Sequence, residues 1–173
     1  MKAFIVTEEK TAEALRLVLP PAVTNNVKFI IGEGKYSAHS LARSVMVTDP
    51  HPLVLVLDSD TTTPSMIEEE KNFIHTSIKQ LALGVKFNVI FAVPEIEALF
   101  FQDKNFIEGL IGKELTDTDW ELAKNIPKKI LMANGIEFGM IKTNIKEKNI
   151  ESIREHPIIK EIAMFLDSVK TLQ

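Results

Sequence analysis

The sequence predicts an α/β protein: a three-layer α/β/α arrangement around a central, mainly parallel four-stranded sheet, followed by a helical C-terminal extension. Three observations carry this. Four short apolar runs, AFIV (3–6), VKFIIG (27–32), LVLVL (53–57) and KFNVIFAV (86–93), are each followed by a helical signal. The run LVLVL is unbroken and has no helical period, which reads as a strand buried on both faces, the kind found inside a parallel sheet. Beyond Asp103 strand signals fade and apolar residues recur at spacings of three and four. Residues 1–102 are therefore expected to form the α/β domain, and residues 103–173 a helical extension packed on the same domain.

Composition narrows the chemistry. The 173 residues, 45% of them hydrophobic, suffice for one substantial core. With no cysteine, neither a disulfide framework nor a thiolate metal site is available, so any metal must be held by oxygen or imidazole ligands, which favours magnesium, manganese or calcium over structural zinc. The apolar run of MKAFIVTEEK is four residues long, too short for a signal-peptide core, and no stretch is long enough to span a bilayer. A cytoplasmic protein with no membrane partner is expected. The net charge of −4 gives only a weak electrostatic footprint for nucleic acid, so such binding would need a local basic patch, a bridging metal or a partner subunit.

Taken in order, AFIV forms the first strand, and Thr7 is expected to cap a helix whose Ala14, Leu15, Val18 and Leu19 face inward until Pro20-Pro21 stop it. Asn25-Asn26 turn the chain into VKFIIG, which ends in the loop GEGKYS. Its GxG fits neither a P-loop nor a dinucleotide fingerprint and reads as a turn, with Lys35 as a basic group just past a strand end, within reach of a phosphate. Tyr36 or Ser37 opens the next helix, with Leu41, Val45 and Met46 inward and Arg43 toward solvent or the site. After LVLVLDSD, a helix is predicted from Pro64 or Ser65 to about Leu83. Its stripe is Ile67, Phe73, Ile74, Ile78 and Leu81, the run from Glu68 to Lys71 is a solvated face, and His75 is a packing or surface residue.

KFNVIFAV then leads into PEIEALFF, where Pro94 pre-sets a helix start near Glu95 and Glu97. In the last third, Asp117 or Thr118 is the expected cap before Asp119 and Trp120, Lys128 and Lys129 make a small basic patch, and residues 141–151 read as a polar connection.

Acidic groups thus recur at three strand ends: Glu8/Glu9, Asp58/Asp60 and Glu95/Glu97. Ligands of open α/β sheets bind beyond the carboxyl ends of the strands, and right-handed crossovers put those ends on one edge. On an extended chain Asp58 and Asp60 would point the same way, roughly 7 Å apart, with Ser59 facing away, so the two aspartates suit a shared cation. Each acid also has an ordinary reading: Asp favours turns, and glutamates in a first helical turn suit the macrodipole. Carboxylates that converge repel one another unless a cation neutralises them, which argues for bound Mg²⁺ or Mn²⁺.

On FIVTEEKTAEALRLVL, GKYSAHSLARSVM, VLVLDSDTT and AVPEIEALFF, the first hundred residues resemble the Toprim fold of topoisomerases, DnaG-type primases and the overcoming-lysogenization-defect (OLD) nucleases, most closely stand-alone Toprim-like proteins and OLD-type nucleases. The resemblance implies a Rossmann-like sheet, a glutamate for acid-base chemistry or metal binding at Glu8, and metal-binding aspartates at Asp58 and Asp60. OLD-type members add an acid that matches Glu97. The chain departs from the pattern where Glu9 stands in place of the usual glycine and Ala12 in place of a further acid, so the functional glutamate is Glu8 or Glu9.

The function this implies is Mg²⁺- or Mn²⁺-dependent phosphoryl transfer on nucleic acid, in phage defence or DNA repair. Asp58, Asp60 and Glu97 would act as metal ligands, Glu8 or Glu9 as general base or further ligand, and Lys35 or Arg43 would hold a phosphate oxygen. Two alternatives remain. One is a haloacid-dehalogenase-like phosphatase with Asp58 as nucleophile and Asp60 as its acid-base partner, also matching Thr62. The other is a non-catalytic Toprim-like module that binds a partner or nucleotide. A partner protein and a homodimer are both left open.

Overall fold

The computed structural model describes residues 2–170 and has the predicted α/β class. Strands β1 (Ala3–Glu8), β2 (Val27–Gly32), β3 (Leu53–Asp58) and β4 (Phe87–Ala92) form one sheet of order β2-β1-β3-β4, and every pair is parallel. The N-terminal helices are α1 (Glu9–Val18), a short α2 (Pro21–Thr24), α3 (Lys35–Thr48) and α4 (Pro64–Lys79). A 3-10 helix (Ile96–Gln102) follows β4. Six helices complete the chain: α5 (Lys104–Ile111), α6 (Asp117–Ala123), α7 (Pro127–Ala133), α8 (Phe138–Asn144), α9 (Glu147–Arg154) and α10 (Pro157–Lys170). The last of these occupies most of the expected HPIIKEIAMFLDSVKTL helix, of which Thr171 and Leu172 lie outside the described residues. No helix among the described residues is long and apolar enough to cross a membrane.

Strand alternation builds the layers. Phe4, Val6, Leu53, Leu55, Leu57, Val89 and Phe91 point to one face, where Ala38, Ala42, Met46, Ile74 and Ile78 of α3 and α4 cover them. Ala3, Ile5, Val54, Val56, Ile90 and Ala92 point to the other, where they meet α1, the 3-10 helix and residues such as Ile153, Ile159 and Ile162 of the C-terminal helices. Leu53 to Leu57 are all at 0% exposure, as a strand covered on both faces should be. At roughly 1.5–3 kcal/mol for each buried aliphatic side chain, this one strand anchors both layers.

Several local expectations are revised. Thr7 does not cap α1: β1 continues through Glu8, and the buried Thr7 hydroxyl donates across the sheet to the Val56 carbonyl at 2.6 Å. Phe73 is 69% exposed, because Ile74 and Ile78 already fill the inward side of α4. Pro94 does not start an α-helix. It follows a cis Val93-Pro94 bond, and the 3-10 helix begins at Ile96. Thr116 is the cap of α6, in a reciprocal capping box with Asp119. The polar stretch 141–151 is largely helical, shared between α8 and α9, with Ile141 and Asn149 turned inward.

The GxG loop has a packing role. Gly32 ends β2 against the start of α3 so closely that a Cβ would stand 2.4 Å from the Ala38 nitrogen and 2.7 Å from its Cα. Backbone cannot yield as a flexible side chain would. Gly34, extended at φ 173°, has nothing within 4 Å of such a Cβ. Gly32→Ala is therefore expected to lower the unfolding free energy by about 1–3 kcal/mol, against less than about 1 kcal/mol for Gly34→Ala, read from denaturation midpoints at constant slope. Equal stability of the two variants would refute the close approach.

Candidate functional site

The strand order places the site. From β1 the chain moves outward to β2 on one side, then returns to lay β3 on the other, so connectivity reverses between β1 and β3. At such a switch point the carboxyl-end loops diverge and leave a crevice. Glu8 ends β1 and Asp58 ends β3, one on each side of it. The third acidic strand end follows β4, which pairs with β3 so that Asp58 lies opposite Ala92.

Asp58 is the most perturbed group here. Withdrawal from solvent, then the charges of Glu97, Glu8 and Asp60, push its pKa up to about 8, while the Ile96 N–H, donating to Oδ1 at 2.9 Å, opposes the shift. The 3-10 helix therefore serves two purposes: its first amide fixes one oxygen of Asp58, and its second residue, Glu97, is carried inward at 5% exposure. Glu8 is also raised, by burial first and then by Asp60.

The two aspartates do not share an extended chain. Extended pairing stops at Asp58. Ser59 donates its N–H to Ala92 O and its hydroxyl to Thr61 O, and Asp60 takes φ +58°, in the left-handed region. The Asp60 carboxylate thereby points out of the sheet edge, with its side chain 71% exposed. Ser59, expected to face away, is buried at 3% exposure beneath the loop.

Each outer acid is held by a lysine. Lys35 at the start of α3 lies 3.3 Å from Asp60 and 2.9 Å from Glu70. Lys10 in the first turn of α1 lies 3.2 Å from Glu97. Burial alone would lower both ammonium pKa values, but their carboxylate partners outweigh it and raise them.

Alternation sorts these groups. Asp58 continues the face of Val54 and Val56, toward Glu97 and Lys10, whereas Glu8 continues the face of Phe4 and Val6, toward Asp60, Lys35 and Glu70. The site is thus two half-sites astride the sheet edge. Glu9 stands apart, exposed at the first position of α1. Glu95 caps α7, accepting the Lys128 N–H at 2.9 Å. Arg43 is exposed on α3.

Lys10 and Glu70 were not legible as site residues. A lysine two positions past Glu8 gives a weak spacing signal, and Glu70 is hidden in a run that reads as solvated. His75 packs its ring on Phe87 at 4.8 Å between centroids, in keeping with a packing role.

The donor set is all oxygen, which suits Mg²⁺ or Mn²⁺. Among the described residues, however, no three acidic or histidine groups stand together as a ready-made cation cage. Glu97 and Asp60 are directed at lysines, so metal ligation requires both to turn from their ammonium partners.

A pH dependence follows from Asp58. An unfolded aspartate titrates near ~3.9, the folded one at about 8, so between these values the folded state holds the extra proton and stability falls as pH rises. The contribution is full below about pH 4 and declines by up to ~1.4 kcal/mol per pH unit until about pH 8. Asp58→Asn keeps the acceptor for Ile96 and removes the charge. In metal-free buffer, the stability of wild type relative to Asp58→Asn is expected to fall from pH 5 to pH 8 in denaturant titrations, and a flat difference would contradict the raised pKa.

No protein-family model, no curated protein and no solved structure matches this chain.

Proposed function

We propose that this protein carries out Mg²⁺- or Mn²⁺-dependent phosphoryl transfer on nucleic acid, as a nuclease or related phosphodiester-processing enzyme. The observation that carries the reading is the placing of Glu8, Asp58, Asp60 and Glu97 at the switch point, where burial first, and then the charges of the other three acids, push Asp58 up to about 8. Carboxylates packed this way disfavour their own ionisation, and a divalent cation is the partner that reverses the penalty. Bound there, such an ion would supply charge neutralisation at phosphorus and an activated water.

The roles of the chain's own residues follow from their placement. Asp58, with one oxygen fixed by Ile96 and the other unassigned, and Glu97, buried beside it, are the ligands on one face. Asp60 is the ligand on the other. Glu8, whose pKa is raised by burial and then by Asp60, is thereby a stronger base for taking a proton from an attacking water. Lys35 and Lys10, once released from Asp60 and Glu97, are placed to meet phosphate oxygens.

A second reading has its own observation. Because Lys10 and Lys35 already neutralise Glu97 and Asp60, the site is also compatible with a non-catalytic Toprim-like binding module. The phosphatase alternative needs Asp60 as the acid-base partner of a nucleophilic Asp58, and its attachment to Lys35 on the opposite face speaks against that.

Incubation with single-stranded and duplex DNA and RNA in Mn²⁺ or Mg²⁺ is expected to give cleavage that EDTA abolishes. Asp58→Ala and Glu97→Gln should each slow it by about 100-fold or more. Calorimetric Mn²⁺ titration should show binding that Asp60→Ala weakens. Metal-dependent cleavage left intact in an Asp58→Ala/Asp60→Ala protein would remove the proposal, and a protein that binds no Mn²⁺ would favour the binding module.

A further inference from the structure

A cavity of about 280 Å³ opens beside the half-site of Asp58 and Glu97. Its polar lining is Lys10, Glu97, Lys128 and Glu137, and its apolar lining Leu131 of α7, Ile136, and Phe138 and Ile141 of α8. Leu131, Ile136 and Ile141 are at most 3% exposed, so they form a closed floor, while Met132 stands at the mouth with 63% exposure. Lys10 and Lys128 both line this cleft, so two ammonium groups lie on its polar side. A phosphate there can meet both ammonium groups, in competition with the carboxylates of Glu97 and Glu137.

We propose that this cleft binds one nucleoside monophosphate unit, its base against Leu131, Ile136, Phe138 and Ile141 and its phosphate on Lys10 and Lys128. The chemistry of the two ends selects such a ligand: a flat, largely apolar ring joined by a short spacer to a dianion. Ligand pockets commonly run from roughly 300 to 1,000 Å³, so a space at the lower limit takes a single base and not a stacked pair. A phosphate on Lys10 would lie next to Glu97, 3.2 Å from that ammonium, and hence beside Asp58.

A base can enter a recessed cleft only when it is unpaired and unstacked. The inference rests on the phosphodiester reading and sharpens it: the substrate is a single-stranded segment or strand end, or a free mononucleotide. The weak overall charge fits, since a site that grips one nucleotide does not need the long basic track that duplex binding uses.

The test is run in EDTA, so that it reads the cleft independently of metal chemistry. Calorimetry is performed with deoxyadenosine monophosphate, deoxyribose 5-phosphate and deoxyadenosine. The nucleotide is expected to bind at least about tenfold more tightly than the base-free sugar phosphate or the phosphate-free nucleoside. Lys128→Glu and Met132→Trp, both at exposed positions and checked for unaltered circular dichroism, should each weaken it by about tenfold or more.

A second arm compares a single-stranded oligonucleotide with a blunt duplex of the same length: tighter binding of the single strand supports a strand substrate, and mononucleotide binding with no oligonucleotide binding assigns the site to free nucleotides. Equal binding of nucleotide and sugar phosphate, no nucleotide binding, or indifference to both substitutions would overturn the inference. A protein that binds the nucleotide yet fails to bind Mn²⁺ would retain the cleft while losing the proposed catalysis.

Discussion

Direct parallel pairing of β1 with β3 is the contact on which the arrangement at the carboxyl edge depends. It sets Glu8 and Asp58 at adjacent strand ends, and it is reinforced where water cannot compete, through the Thr7 hydroxyl on the Val56 carbonyl. A buried hydroxyl without a partner would cost on the order of 1–3 kcal/mol, so this bond helps specify the register as well as stabilise it. A slip of one residue would exchange the side chains of β3 between the two packed faces and turn Asp58 toward α3 and α4, away from Glu97.

Holding four carboxylates at that edge raises an electrostatic difficulty that the fold resolves unevenly. The exposed Asp60 and the buried Glu97 each have an ammonium at ion-pair distance. For Glu97 this matters most, since an unpaired charge at that depth would destabilise the fold by several kcal/mol, whereas the Asp60 pair is largely screened by solvent. Asp58, withdrawn from solvent first of all and then repelled by its neighbours, has only a backbone amide to oppose the shift, so the net displacement concentrates there. The two lysines come from the first turns of α1 and α3, so the helices that follow β1 and β2 supply cations to acids that follow β3 and β4. The balance of charge is therefore a property of the whole sheet edge.

What could be read from sequence divides along physical lines. LVLVL and the stripes of α1 and α3 were legible because periodicity registers burial directly. The three acidic strand ends were legible because a parallel sheet puts all such ends on one edge. The left-handed Asp60 was not, since its φ is set by the loop amides hydrogen-bonded to Ala92 and Pro94. Nor was the exposure of Phe73, which depends on how much of α4 the sheet has room to cover. The segment 141–151 misleads for a related reason: helices of seven and eight residues that bury one or two side chains each carry too little periodic signal to stand out from a polar loop.

The C-terminal helices take their significance from the same edge. Their apolar residues merge with one face of the sheet, so the extension shares a core with the α/β domain, and α7 is carried over the end of β4. There Glu95 ties the Lys128 amide, and Thr62, in the loop after β3, donates to Asn125 at 3.0 Å. Two strand-end loops of the first hundred residues are thus fastened to the segment that leads into α7. An acidic edge left open to water would have weak fields, but a wall of apolar and basic side chains beside it lowers the local dielectric and strengthens interactions on that side. The wall is not confined to one half-site: Asp60 shares a second cleft with Lys128, Lys129 and Met132 of α7, so α7 stands along the edge beside both half-sites.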